Sequence, residues 1–263
     1  MSNPHLLVER DGHVLTVTLN RPEARNAFSG EMLVRAYDAW KELDEDPELR
    51  VGILTGAGGH FCSGMDLKAL AGGIDERWSS RLADDPDLHW KALLRHFRPR
   101  KPLIAAVEGY CVAGGTEILQ ATEIRVAAES AQFGVAEVRR GLFPLGGSTV
   151  RLHRQIAFTN AADLLLTGRL ISATEAKEMG LIGHVVPDGL ALARAHELAE
   201  AVAANGPVAV QAVLASIRAA QNLTEEAGLA RELELGWPVY ATEDSKEGPR
   251  AFAEKRPAVF QGR

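Results

Sequence analysis

Cysteine is scarce in this chain: the 263 residues contain two, Cys62 and Cys111, far apart and without CxxC or Cys/His ligand spacing. That pattern excludes a disulfide framework and a zinc site, so no metal is expected, and it fits a reducing compartment, which makes the cytoplasm the expected location. Long apolar runs are missing too. No stretch approaches the roughly 20 residues that a membrane span needs, and Met1 to Arg10 has no apolar signal core, so no membrane partner is expected. Basic charge is not in excess: 29 Lys and Arg stand against 35 Asp and Glu, a net charge of −6. Nucleic acid is therefore not an expected partner. Tandem repeats and low-complexity segments are also lacking.

Several catalytic signatures fail on single residues. Gly146-Gly147-Ser148-Thr149-Val150 lacks the final glycine of GxSxG, and GxxxxGK[ST] does not occur. His196-Glu197 begins like HExxH, but position 200 is Glu200. The turn Gly56-Ala57-Gly58-Gly59 follows a strand-like run, yet a dinucleotide fingerprint would need glycine where Phe61 stands. The eight histidines are scattered.

What is present reads as an α/β protein. Val14 to Leu19 has strand composition and ends in the turn Asn20-Arg21-Pro22. Leu33, Ala36, Trp40 and Leu43 recur at helical spacing ahead of Pro47, predicting an amphipathic helix from Gly30 to Asp44. Val51 to Thr55, Glu123 to Ala128 and His184 to Val186 read as further strands. Gly146 to Ile156 reads as a loop into a helix, and Ser172-Ala173-Thr174-Glu175 as a capping box whose helix closes at Gly180. From Leu190 onward the pattern is almost wholly helical. The segment from Ala71 to Arg100, with Trp78, Trp90 and Phe97, shows no clear period and is expected to be a variable insertion with partial helix.

The centre of the chain carries the chemistry. Pro102 to Val107 is an apolar run of buried-strand length that breaks at Gly109. After a short loop, Gly114-Gly115 opens Thr116-Glu117-Ile118-Leu119, giving the order strand, glycines, helix. Paired glycines at a helix start bring backbone N–H groups close to a ligand, and the helix dipole favours negative charge there. A second acid, Glu137, follows Gln132-Phe133-Gly134-Val135-Ala136. Spacing alone leaves the glycines open as turn residues and both acids open as ordinary first-turn or surface charges.

Blocks of sequence along nearly the whole chain narrow that choice. Leu19-Asn20-Arg21-Pro22-Glu23-Ala24-Arg25-Asn26-Ala27, His60-Phe61-Cys62-Ser63-Gly64-Met65-Asp66-Leu67, Lys101 to Gly109, Ala131 to Gly134 and Glu247 to Arg256 resemble, in this order, the enoyl-CoA hydratase/isomerase (crotonase) family. The resemblance implies a spiral of ββα units over residues 1–200, carrying the acyl-CoA site. It also implies a helical part, 201–263, used for trimer assembly, with a homotrimer or a hexamer of paired trimers as the expected state.

Carried over residue by residue, the resemblance assigns the oxyanion hole to the backbone N–H groups of Met65 and Gly114, and the two hydratase carboxylates to Glu117 and Glu137. The family changes acids around a constant oxyanion hole, so the presence of both glutamates favours hydration of a 2-enoyl-CoA, in fatty-acid or steroid side-chain β-oxidation. Glu117 is expected to activate water and Glu137 to donate the proton to C2, with the reverse order of roles left open. A Δ3,Δ2-enoyl-CoA isomerase and a non-catalytic acyl-CoA-binding protein of the same fold are the alternatives. Met65, Asp66, Leu67 and Lys68, with Gly114, match substrate-contacting positions. Arg25, Phe252 and Lys255 match positions that meet coenzyme A. No cofactor is implied, because coenzyme A enters as part of the thioester substrate. Two departures from many short-chain members, Thr116 and Leu142-Phe143-Pro144-Leu145, are expected to reshape the acyl pocket, and the 71–100 segment to set acyl specificity.

Overall fold

The computed structural model describes residues 3–66 and 76–263. Leu67, Lys68 and the first five residues of the 71–100 segment lie outside the described residues. In chain order the elements begin with β1 (Leu6–Asp11), β2 (Val14–Leu19), α1 (Gly30–Glu45), β3 (Val51–Gly56), α2 (Glu76–Asp84) and α3 (Leu88–Ala92). There follow β4 (Leu103–Val107), β5 (Tyr110–Val112), α4 (Gly114–Leu119), β6 (Ile124–Ala128), β7 (Gln132–Gly134) and a 3-10 turn (Glu137–Arg140). The remainder comprises α5 (Ser148–Gln155), α6 (Phe158–Thr167), β8 (Ile171–Ser172), α7 (Ala173–Glu178), β9 (His184–Val186) and the helices α8 (Ala191–Ala203), α9 (Pro207–Ala220), α10 (Glu225–Gly236) and α11 (Glu243–Glu254).

Two sheets organise these elements. The larger runs β1-β2-β3-β4-β6-β9 and the smaller β5-β7-β8. Only β1 against β2 is antiparallel in the larger sheet, with Leu6 opposite Leu19; β2 through β9 pair in parallel. Parallel strands covered on both faces carry continuous apolar runs, and all five residues of β4 are buried. After β4 the chain steps to the smaller sheet for β5 and then enters α4; after β6 it steps to β7 before the 3-10 turn and α5. This alternation is a ββα repeat of the kind the family resemblance implies.

One face of the larger sheet packs on α1, whose Leu33, Ala36, Trp40 and Leu43 are all buried, as their helical spacing predicts. Ser29 caps this helix by accepting a hydrogen bond from the Met32 N–H at 3.2 Å. The Trp40 indole donates to the carbonyl of Ala92 at 2.9 Å, tying α1 to α3. The opposite face packs on α8 through Ala191, Ala195, Ala199 and Ala203, a four-residue repeat of small side chains that meets Val51, Ile53, Ile104 and Val126. Ser172 caps α7, accepting from Glu175 N–H at 3.2 Å, but only this half of the predicted capping box forms. The Glu175 carboxylate turns instead to Arg169 at 2.7 Å. Trp90 and Phe97, both half-buried, pack against the main core, and Phe97 meets the Tyr37 ring edge-on. Among the described residues no single helix is long and apolar enough to cross a membrane.

Candidate active site

The site is assembled where the segment 62–66 lies against the β5-to-α4 corner. Cys62 pairs with Cys111 and Phe28 with Met65 in isolated parallel bridges. Hydrogen bonds from Cys62 N–H to Tyr110 O and from Val112 N–H to Cys62 O, both 2.9 Å, hold the two segments in register. Phe28 N–H donates to Gly64 O at 2.8 Å, and Asp66 N–H to Phe28 O at 3.1 Å. The Met65 N–H between them donates to none of the described residues. Gly114 opens α4, so its N–H precedes the first intrahelical bond, made by Glu117 N–H to Ala113 O. Two backbone donors, one from each segment, are thus left for a ligand. At six residues α4 supplies little macrodipole, so any stabilisation of negative charge at its start would rest on the individual N–H groups.

Close approach of the two segments dictates the local sequence. Gly64 sits at φ +95°, and a Cβ built on it would lie 2.9 Å from the Ala113 Cβ and 3.1 Å from the Gly114 nitrogen. Ala113 itself has φ +52° and ψ −126°, a region that L-residues rarely occupy and that costs on the order of 1–3 kcal/mol. Surrounding contacts hold it there. Ala113 N–H donates to Gly134 O at 2.8 Å, and the Thr116 hydroxyl is set between Cys111 O at 2.5 Å and Gly134 at 3.0 Å. Thr116 is therefore buried, binding β5 and β7 to α4.

The Asn20–Ala27 block acts at a distance. Arg21 pairs with Asp66 at 3.0 Å and donates to Ala27 O at 2.8 Å. Fully buried Asn26 donates to Ala57 O at 2.8 Å and His60 O at 2.6 Å, and accepts from Arg21 N–H. These bonds fix the segment that bears Met65, and they occupy the Asp66 carboxylate. Arg21, Asn26, Gly64 and Ala113 were not singled out as site residues from the sequence. The first two lie within the family block, where their role as braces is invisible without the fold.

Glu117, buried at 6% exposure, sits on the first turn of α4. Its Oε1 accepts from Ser148 N–H at 3.3 Å, and a Cβ on Gly146 would fall 2.5 Å from its Oε2, so the carboxylate rests on the backbone of the Gly146–Ser148 loop. Burial pushes its pKa up, while the N–H groups of Ser148, Gly146 and Gly147 hold it down. Glu137 opens the 3-10 turn, and its Oε2 is buried with no hydrogen-bond partner among the described residues. Burial first, and the charge of Glu117 second, push Glu137 up to about 7. The structure therefore brings Glu117 and Glu137 within electrostatic reach of one another.

Other expected residues are more dispersed. Arg25 is exposed in a left-handed turn, its guanidinium 5.0 Å above the Tyr110 ring, and its carbonyl accepts from Ser63 N–H. Phe252, 87% exposed, and Lys255, the C-cap of α11, stand on the last helix. Phe143, Pro144 and Leu145 line a cavity of about 260 Å³ with Arg95 and Arg151, whose walls include neither glutamate. Among the described residues no group of three or more His, Cys, Asp or Glu is placed to hold a metal ion.

Comparison with known proteins follows the same geometry. The family model described as enoyl-CoA hydratase/isomerase matches residues 9–263. The chain is 57% identical over 265 residues to enoyl-CoA hydratase EchA19 of Mycobacterium tuberculosis, covering 100% of this chain and 98% of that relative. It is 37% identical to the 2,3-dehydroadipyl-CoA hydratase of Escherichia coli over 258 residues, covering 98% and 99%. The crystal structure of enoyl-CoA hydratase EchA1 from Mycobacterium marinum superposes with a TM-score of 0.90 at 41% identity, covering 99% of this chain and 100% of that one.

Proposed function

Because this chain belongs to the enoyl-CoA hydratase/isomerase family, we propose that it adds water across the 2,3 double bond of a 2-enoyl-CoA to give a 3-hydroxyacyl-CoA. The observation that carries the reading is the unequal pair of carboxylates beside two uncommitted backbone donors. A 2-enoyl thioester is electrophilic at C3, and attack there moves charge onto the thioester oxygen. The Met65 and Gly114 N–H groups would receive that oxygen; one such donor is typically worth about 3 kcal/mol of barrier. Glu117, whose anion the loop amides stabilise against the cost of burial, takes a proton from water as the water oxygen bonds to C3. Glu137, held protonated near neutrality, gives its proton to C2. The sum is one water added, with the proton gained by Glu117 returned to Glu137 through solvent.

Relatives whose names specify hydration of different acyl-CoAs support the reaction without selecting an acyl group. For this chain the candidates are fatty and steroid side-chain thioesters of β-oxidation. Coenzyme A would be met by Asp66, by Leu67 and Lys68 beyond it, and by Arg25; Phe252 and Lys255 would reach it from a neighbouring subunit. A homotrimer or paired trimer is proposed, supported by the exposed apolar side chains Val213, Ile217, Leu229, Leu233, Trp237 and Tyr240 on the C-terminal helices. Incubation with enoyl-CoAs from crotonyl to steroid side-chain thioesters, with products read by mass, tests the activity. A gain of one water is expected. An unchanged mass with a shifted double bond would mean isomerisation, and no conversion of any thioester would point to a binding protein.

A further inference from the structure

We propose that Arg151 is the positioning residue for Glu117: its guanidinium fixes the Gly146–Ser148 loop on which the carboxylate rests and supplies the carboxylate's counter-charge across two side-chain-free positions. The inference builds on the reading of Glu117 as the base that activates water.

The geometry is a three-layer stack. Glu117 lies on Gly146, where an added Cβ would come within 2.5 Å of Oε2. Arg151 lies on the adjoining Gly147, where an added Cβ would stand 3.3 Å from the guanidinium carbon. A side chain at Gly146 would displace the carboxylate, and one at Gly147, besides straining its φ of +121°, would press on the guanidinium. Arg151 also holds that peptide. Its Nη1 donates to Gly146 O at 3.5 Å, and its own N–H donates to Gly147 O at 2.9 Å. Nη2 donates to Leu94 O at 2.6 Å, anchoring the loop to the segment before β4. The same loop presents Ser148 N–H to Glu117, and the Ser148 hydroxyl accepts from Gln120 at 2.8 Å on the next turn of the chain.

Among the described residues the partners of the Arg151 guanidinium are carbonyl oxygens, and it forms no ion pair at contact distance. A cation placed so is costly unless a charge nearby offsets it. Burial and Arg98 hold Arg151 down to about 10, and Glu117 is the carboxylate that opposes them. Among the described residues the other ionisable groups around the stack are Arg95, Arg98 and Arg125, which repel Arg151, and Glu137, which repels Glu117 and is itself held down by Arg140. Arg151 faces Glu117 across the loop and so, in this proposal, favours its ionised form. A guanidinium suits this task because one planar group spans two carbonyls and stays charged; a lysine would keep the charge and lose the span.

The test compares Arg151→Met and Arg151→Lys. Carboxyl titration of ¹³C-labelled glutamates by NMR, which needs no turnover, is expected to show the Glu117 midpoint rising by about one unit in R151M and staying near the wild-type position in R151K. In assays with crotonyl-CoA, R151M is expected to lower kcat by about 10²-fold, with KM little changed and the acid limb of the pH profile moved upward; R151K should fall between. Should R151M not fold, Arg151→Gln takes its place, retaining two donors without the charge. A midpoint that stays put in the neutral variant, or that moves as far in R151K, would overturn the proposal. If the titrations behave as expected while wild-type protein hydrates no enoyl-CoA, the hydratase reading fails and the role of Arg151 stands.

Discussion

Glu117 and Glu137 are chemically identical, yet the chain surrounds them with opposite environments. The Glu117 carboxylate is met by backbone N–H groups of the Gly146–Ser148 loop, whereas Glu137 has an oxygen buried without a partner and the neighbouring charge of Glu117 to contend with. Both are desolvated, so burial alone does not separate them. Donors do. A carboxylate that accepts N–H bonds is favoured as an anion, and one that lacks them is favoured as an acid. In the proposed reaction, base and acid thus follow from which loop folds over which residue.

The sharpest way to break this comparison is to remove proton exchange from either side. Glu117→Gln and Glu137→Gln keep the shape of the side chain, and each is expected to lower hydration by about 10²-fold or more while thioester binding, read by calorimetry, persists. Near-wild-type turnover in either variant would remove that glutamate from the reaction.

A second set of variants leaves both acids in place and disturbs the donors opposite them. A methyl at Gly64 would collide with the Ala113 Cβ, so Gly64→Ala should lower kcat by at least about 10-fold and reduce thermal stability. A Cβ at Gly114 meets Gly64 and Phe28 only at 3.4 Å, an ordinary contact. Gly114→Val is expected to cost turnover more than stability, because its added bulk would crowd the segment that carries both backbone donors; normal turnover would refute the oxyanion assignment.

Titration sharpens the same contrast. The rate should need Glu117 ionised and Glu137 protonated, so kcat should decline as pH rises through about 7, the value to which Glu137 is pushed. A flat profile from pH 6 to 8 would count against Glu137 as the acid. The smallest effect is on stability. Between the ordinary carboxylate value and about 7 the folded protein binds more protons than the unfolded chain, so stability falls as pH rises across that window. Glu137→Gln should reduce the slope to the part that the raised Glu117 contributes and leave the protein more stable than wild type at pH 8, by about 1–3 kcal/mol after allowance for solvent screening. Chemical denaturation at pH 5 and pH 8 measures it.

Much of the fold can be read from periodicity. The α1 helix, the buried run of β4 and the helical C-terminal part follow from the spacing of Leu33, Trp40, Leu43, Ile104 and their neighbours. The short strands β5 and β7 cannot be read so. Tyr110–Val112 looks like a loop because three residues carry no period, and its parallel partner Gln132–Gly134 lies across α4 and β6. Glu117 and Glu137 are visible as acids, but only the family resemblance joins them; no spacing rule links two residues on separate ββα units. Arg151 leaves no trace in the sequence at all, since its hydrogen bonds go to backbone carbonyls that any residue could supply.

The fit of Ala113 against Gly64 carries a consequence for how this sequence can change over evolutionary time. One methyl occupies the space between the two segments, and a second would not fit. Loss of the methyl at 113 is thus a permissive step: it opens the gap and relieves a positive φ, and only afterwards could position 64 accept a side chain, still at the expense of its own φ of +95°. The order of those two substitutions is not reversible without passing through an obstructed intermediate. Among descendants of this chain the two positions should drift as a pair, with the change at 113 always the older.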